Sequence, residues 1–546
     1  MKFKFEKELR VGQVIEVRGK KVICRIFENK NGPFVFINGE IIKNVTIGSY
    51  VVIPVGYNLI VGKIEGEFAV EKPNNCALYN EIELITRKVE ISILGTYDNN
   101  KFTLGISYMP LINSDLYIAP KYLLDNLFVF SSDNVEDDGG AITIGTDIDN
   151  NLPVTVSVEK LFANHIGIFG NTGSGKSNTL AYLYAKLFEQ YDFDYHNEFI
   201  FLDYSNEYSN CFTNDKTIIN LGEGEDELLY LAREDVFNSE FWLSLTEAAE
   251  KTHAPFIKES LKKYNNVSSV NKLREELENI KNKLIAGAKD EKSINQLERY
   301  LEKYTEENDF SKFYGSCLFI AIEKFATAKS QYLDANFWSL INRIELNCSN
   351  LKKYIKFQKR DTNYTNILVI NMNRLTLDNK LIISYLISNR YYRLFNNRKT
   401  NDNTINLIID EAHKILSVPH ESDKTPFKEY ILKKFEEFIK EGRKFGFYLT
   451  IASQRPSDIS SMFLSQMHNY FIHRLVNQND IDNLSNTISF LDENSFKMIS
   501  SLKVGSCIYS GLGAKFPIIV NIPKLDEDIA PKSKNISITA NAKLRK

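Results

Sequence analysis

Residues Gly170-Asn171-Thr172-Gly173-Ser174-Gly175-Lys176-Ser177 fit G-x-x-x-x-G-K-[ST], and this stretch restricts the fold more than any other. The pattern works only where a buried strand turns through a glycine loop into a helix. Both flanks are present. Ile166-Gly167-Ile168-Phe169 is short and apolar like a buried strand, and Leu180, Leu183, Tyr184 and Leu187 recur at helical spacing beyond the loop. Successive backbone N–H groups and the helix N-terminus would surround a phosphate chain. Lys176 would reach the β- and γ-phosphates, and the Ser177 hydroxyl would sit on Mg²⁺. The candidate nucleotide-binding residues are Gly170, Asn171, Thr172, Gly173, Ser174, Gly175, Lys176, Ser177 and Asn178.

A second pattern lies far downstream. Ile405-Asn406-Leu407-Ile408-Ile409 is mostly apolar and delivers Asp410 and Glu411 at its end, the arrangement of a Walker B strand. Asp410 would hold the water shell of Mg²⁺. Glu411, one residue on, points the other way and would orient a water for in-line attack on the γ-phosphate. The next apolar run, Phe447-Tyr448-Leu449-Thr450-Ile451-Ala452, delivers Ser453-Gln454-Arg455-Pro456, and Gln454 is placed to sense the γ-phosphate or the attacking water. Phe199-Ile200-Phe201-Leu202 ends in Asp203 to Tyr208, which either faces the ligand or is simply a polar loop. Lys440 and Lys444 read as charges that suit a helix C-terminus.

The 546 residues favour about two to four domains. Lys+Arg 67 against Asp+Glu 70 gives −3, so a nucleic-acid surface would have to be local, such as the lining of a channel. The six cysteines, Cys24, Cys76, Cys211, Cys317, Cys348 and Cys507, are scattered without a C-x-x-C pair, which argues for a reducing compartment and against a zinc site. The start Met1 to Glu8 lacks an apolar signal core, and no apolar run approaches the ~20 residues of a membrane helix. The expectation is a soluble, cytoplasmic protein with no membrane attachment.

Residues 1–110 read as a small β-barrel of short strands, with Asn38-Gly39 as a hairpin turn. The acidic stretch Asp133 to Gly140 reads as a loop, followed by a hairpin from Ala141 to Val158. Residues 111–221 and 360–525 form an α/β core, closed by strands near Phe471, Ser506 and Phe516. Residues 222–359 are helical. Val270, Leu273, Leu277, Ile280 and Leu284, then Ile294, Leu297, Leu301 and Tyr304 after a break at Ala286-Gly287-Ala288, describe an antiparallel helical hairpin or short coiled coil within an inserted bundle. Residues 526–546 read as a loose tail or partner-binding arm.

His165 to Ser177, Asp203 to Tyr208, Ile409 to His413, Glu441-Gly442-Arg443-Lys444-Phe445-Gly446 and Ile451 to Ser460 together resemble the HerA family, hexameric DNA-translocating ATPases related to FtsK and to conjugative transfer ATPases. The resemblance implies a RecA-like P-loop core with an N-terminal barrel and a helical insertion, using ATP and Mg²⁺. It implies a homo-hexamer acting on double-stranded DNA beside a separate effector, a nuclease or a sirtuin-like NAD hydrolase, in defence against phage or in DNA processing. By position it makes Glu411 the catalytic carboxylate, Gln454 the sensor and Arg443 a phosphate contact at the subunit interface. One position departs: where relatives often carry an arginine before the histidine of the P-loop strand, this chain has Asn164. An ATP-gated scaffold that regulates an effector without productive translocation fits the same motifs.

Overall fold

Short β-branched runs separated by Gly, Pro and Asn build the N-terminal part of the protein. In the computed structural model, Arg10–Arg18, Lys21–Ile26, Tyr50–Val55, Asn58–Glu71, Ile85–Asp98 and Asp115–Ile118 form a barrel, closed where Lys21–Ile26 pairs back onto Ile85–Asp98. The structure describes residues 7–532 apart from 38–39, 72–84, 99–100, 131–139, 195, 213–214, 225–226, 249, 287–290, 328–333, 358–363, 397–402, 420–423, 489–490 and 492. Alternate side chains point inward, so Val14, Val22, Cys24, Ile60, Val89 and Ile91 make a fully enclosed core. The sheet takes in Asp115–Ile118, past the boundary near residue 110, because Leu116 drops into that core while Val51 and Val52 pair with Ile118 and Tyr117. Asn113-Ser114-Asp115 hides this short strand from a reading by pattern alone. Phe34–Ile37 and Glu40–Lys43 pair as an antiparallel hairpin; the expected turn at Asn38-Gly39 lies outside the described residues.

The chain divides into two compact units, residues 1–190 with 467–525, and residues 191–466 with 526–546. Besides the barrel, the first unit carries antiparallel strands in the order Pro153–Ser157, Ala141–Asp147, Ile518–Asn521, Ser506–Gly511, Asn469–His473, and the last of these runs parallel to Ile166–Phe169. Aromatic rings join barrel and sheet: Tyr50 and Phe102 meet Phe516, which also packs edge-on to Phe130. Most of the acidic stretch Asp133 to Gly140 lies outside the described residues.

The second unit is a parallel sheet in the order Phe447–Ser453, Thr404–Ile409, Asn197–Asp203, Ile367–Asn371, Thr217–Asn220. Its strands are continuous apolar runs because both faces are covered, and helices such as Leu377–Asn396 and Pro426–Glu441 accompany them. Between Thr217–Asn220 and Ile367–Asn371 the chain runs through long helices. Asp309–Thr327 packs against Glu250–Asn266, Val270–Ala286 and Asp334–Leu351. Val270–Ala286 and Glu291–Lys303 pair through buried Leu273, Leu277 and Leu297 and a Lys281–Glu298 ion pair at 2.9 Å; the expected break at Gly287-Ala288 lies outside the described residues. Tyr300, which the helical pattern omits, is fully buried, and its hydroxyl donates to the Ser311 carbonyl at 3.0 Å. Glu345 is buried too and accepts hydrogen bonds from Tyr304 and Tyr314.

Cys24, Cys211, Cys317, Cys348 and Cys507 are buried free thiols, and Cys76 lies outside the described residues. Among the described residues no helix is long and apolar enough to cross a membrane.

Gly315 gives a test of the helical packing. A glycine inside a helix ordinarily gains about 1 kcal/mol on replacement by alanine. Here the new Cβ would fall 2.6 Å from Tyr300 Cζ and 2.8 Å from Leu273 Cδ2, in a core with no slack. Gly315→Ala should therefore destabilise the protein by about 1–3 kcal/mol in urea unfolding. A rise in stability would mean that Tyr300 moves aside freely.

Candidate nucleotide site

The glycine loop is shaped by its neighbour strand. Phe169 is level with Ile472, so Gly170 comes up beside His473. A Cβ on Gly170 would lie 2.5 Å from the His473 Cβ and 2.6 Å from Ser174 Oγ, which excludes any side chain. Gly175 has a φ of +111°, and a Cβ there would stand 3.0 Å from Gly505 Cα. Backbone bonds pin the loop: Asn171 N–H donates to the Arg474 carbonyl, Ser174 N–H to the Asn171 carbonyl, and Gly505 N–H to the Ser174 carbonyl. Asn171 Oδ1 accepts the Val476 N–H at 2.8 Å. Thr172 and Gly173 are exposed at the crest, while Ser174 and Lys176 are buried beneath it.

The helix Lys176–Gln190 follows at once. Ser177 is half-buried in its first turn. Asn178 is tied to the C-terminal end of this unit, donating to the Pro523 carbonyl at 2.9 Å and accepting the Leu525 N–H at 3.1 Å. Thr179 and His473 Nε2 share a hydrogen bond of 2.9 Å under the loop. Burial lowers the His473 pKa to about 4, and the Lys176 ammonium pushes the same way. Asn164, the departing position, is buried and turned inward. Its Nδ2 donates to the carbonyls of Lys160 at 3.0 Å and Glu159 at 3.3 Å, closing the end of the helix Val158–Phe162.

In the second unit Thr404–Ile409 runs parallel between Asn197–Asp203 and Phe447–Ser453. Asp410 is buried at its end, and its Oδ1 accepts the Glu411 N–H at 2.9 Å. The chain then doubles back, with Glu411 at a left-handed φ of +51°. A non-glycine residue there costs on the order of 1–2 kcal/mol, and the Ala412 N–H bond to the Ala452 carbonyl at 2.9 Å helps to hold the turn. Glu411 Oε2 lies 3.2 Å from His413 Nδ1, which is also 3.2 Å from Ser453 Oγ. The carboxylate thus lies beside an imidazole that is itself held by the neighbouring strand. Burial lowers the His413 pKa, against the pull of Glu411, and favours the neutral ring. Gln454 follows Ser453 directly and is half-buried. Neither His413 nor Ser453 had a role in the sequence reading; their signal is their place next to Glu411 and Gln454.

Asp203 is occupied by its own loop. Its carboxylate accepts the N–H groups of Ser205, Glu207 and Tyr208, and burial raises its pKa. Of the two readings open for Asp203 to Tyr208, the polar loop describes this carboxylate. Arg443 is exposed in the turn Gly442–Phe445, before the strand whose far end carries Gln454. A strand of that length spans about 20 Å. Within this unit the fold gathers Asp410, Glu411, His413, Ser453 and Gln454 at one sheet edge and puts Arg443 at the other.

Residues 142–411 match the family model described as the central domain of helicase HerA. The chain is 29% identical over 418 residues to the DNA double-strand break repair helicase HerA of Sulfolobus acidocaldarius, covering 73% of this chain and 72% of that one. It is 28% identical over 420 residues to the protein of the same description from Sulfurisphaera tokodaii, with 73% and 72% covered. Among solved structures, VirB4 of Thermoanaerobacter pseudethanolicus superposes with a TM-score of 0.49 at 15% identity, covering 72% of this chain and 99% of that one.

His473 makes the glycine loop sensitive to acid. The folded protein keeps this ring neutral down to about pH 4, whereas the unfolded chain takes up the proton below about pH 6.5. The unfolded state then binds more protons, so the contribution to stability falls as pH drops from 6.5 towards 4. Calorimetric melting across that range should show a flatter pH dependence for His473→Gln than for the wild type. Parallel curves would remove His473 from the acid response.

Proposed function

We propose, from the premise that this chain belongs to the HerA family of P-loop ATPases, that it is a ring-forming motor moving double-stranded DNA and serving an effector protein. The relatives named as DNA double-strand break repair helicases support DNA as the substrate. The observation that carries the reading is Glu411, set in a strained turn beside Asp410 with its Oε2 3.2 Å from His413, an arrangement suited to orienting a water. In this reading Lys176 offsets charge on the β- and γ-phosphates of ATP. Glu411 takes the proton of the water that attacks the γ-phosphorus, the bond to the β-phosphate oxygen breaks, and Gln454 registers the change. Ser177 and Asp410 would hold Mg²⁺. Each offers an oxygen, and among the described residues no three His, Cys, Asp or Glu gather to hold a metal alone, a donor set that suits an ion shared with water and phosphate. When bound, the ion would supply charge neutralisation across the phosphates.

The hexamer and the effector, a nuclease or a sirtuin-like NAD hydrolase in defence against phage or in DNA processing, rest on the family resemblance, and the cytoplasmic setting rests on the scattered cysteines. Arg443 completes the site of the neighbouring subunit; its place at the sheet edge away from Glu411 supports a role in trans. A second reading, an ATP-gated scaffold, draws support from Asn164, whose inward amide supplies no cation to a neighbouring site.

Lys176→Ala should abolish ATP binding, whereas Glu411→Gln should bind ATP and turn over on the order of 10²–10⁴-fold more slowly. A fluorescent nucleotide titration and a phosphate-release assay separate the two, and near wild-type turnover by Glu411→Gln would remove it as the base.

With a net charge of −3, DNA binding must come from a few local cations, so affinity should fall steeply with salt and show little sequence preference. Turnover that ignores duplex DNA, with no binding at low salt, would favour the scaffold.

Rings mixed from Lys176→Ala and Arg443→Ala subunits should recover ATPase activity, since some interfaces pair an intact loop with an intact arginine. No recovery, in rings shown by native mass spectrometry to be mixed, would count against Arg443 acting in trans.

A further inference from the structure

Close to Glu411, and lined by His413, lies a cavity of about 520 Å³ in the second unit. Among the described residues its cations are Lys414, Lys428 and Arg455, against Asp458 as carboxylate, and its apolar side includes Leu377 and Leu381. In a chain of net charge −3 this is a local excess of positive charge. Among the described residues little of it is neutralised. Arg455 and Asp458 stand 3.8 Å apart with both side chains largely exposed, a pair of small worth in water, and Lys414 lies 5.7 Å from the centre of the Tyr204 ring. The volume far exceeds a bare anion, and the apolar side would suit a sugar next to a phosphate. His413 also lines it, the imidazole whose Nδ1 lies 3.2 Å from both Glu411 Oε2 and Ser453 Oγ. One side chain therefore borders both the cavity and the Glu411 carboxylate.

We propose that this cavity takes a phosphodiester of the DNA substrate, and that His413 is the positioning residue through which its occupancy sets the orientation of Glu411. The inference rests on DNA being the substrate. A phosphate held by Lys428, Arg455 and Lys414 alters the surroundings of the His413 ring, and through the ring's position the electrostatic environment of Glu411 Oε2, 3.2 Å away. Glu411 is open to such control because its backbone is strained and its Oε2 lies 3.2 Å from this ring. DNA would thus switch ATP turnover without touching the nucleotide.

The test uses the full chain in its native assembly, with ATP turnover measured against duplex DNA of random sequence. Lys428→Glu should raise the half-stimulating DNA concentration about tenfold at fixed salt, and lower the slope of log affinity against log salt by about 0.9 for each phosphate no longer neutralised. His413→Leu should bring the ratio of DNA-stimulated to DNA-free turnover to about 1, a change in kcat and not in KM for ATP. His413→Asn, whose amide can still reach Glu411, should restore part of that ratio. Should His413→Leu fail to bind nucleotide, Lys428→Glu and His413→Asn still decide the matter. Unchanged half-stimulation in Lys428→Glu, or full stimulation in His413→Leu, would overturn the proposal and leave the motor reading standing. Inorganic phosphate that reproduces the stimulation, with that effect abolished in Lys428→Glu, would assign the cavity to a free anion and overturn DNA as its occupant. Wild-type turnover indifferent to DNA would overturn this proposal together with the motor reading.

Discussion

Strands buried on both faces favour polar groups at their ends, and both units place their candidate site residues there, although Asn406 and Thr450 are buried in mid-strand. Ile166–Phe169, Thr404–Ile409 and Phe447–Ser453 are covered along their length, so side chains able to handle phosphate or water collect just past the last apolar residue. Gly170, Asp410 and Gln454 all follow from that rule. So does His473, which closes the strand paired with Ile166–Phe169 and lies beneath the glycine loop.

The glycine loop and the turn after Asp410 solve different problems. The glycine loop has to bring backbone against backbone, and the clearances at Gly170 and Gly175 leave no room for a Cβ. The Walker B turn has to aim a carboxylate, and it accepts an unfavourable φ at Glu411 to do so. What offsets that strain is a pair of short polar links, Asp410 to the Glu411 N–H and Ala412 to Ala452, while His413, held by Ser453, lies beside the carboxylate.

The helical segment between Thr217–Asn220 and Ile367–Asn371 is built on another logic. Its order comes from buried rings and from Glu345, whose carboxylate is satisfied by Tyr304 and Tyr314, while Lys and Glu pair at the surface.

Local pattern was enough to place the glycine loop, Lys176, Ser177, Asp410, Glu411 and Gln454 on strand ends and helix starts, because strand length, apolar continuity and glycine content are written in adjacent residues. The barrel was legible from its short strands, but its last strand, Asp115–Ile118, was not, since pairing with Arg10–Arg18 and Tyr50–Val55 is a long-range event without a local mark. The same holds for the site. His473 lies far along the chain from Thr179, Ser453 from His413, and Asn164 turns inward only because the helix before it ends there. Asp203 commits its carboxylate to its own loop, a choice between backbone and ligand that depends on the turn it folds into. Sequence alone determined which residues are candidates for the chemistry; the tertiary structure decided what surrounds each of them, because hydrogen-bond partners are set by distance in space and not by order along the chain.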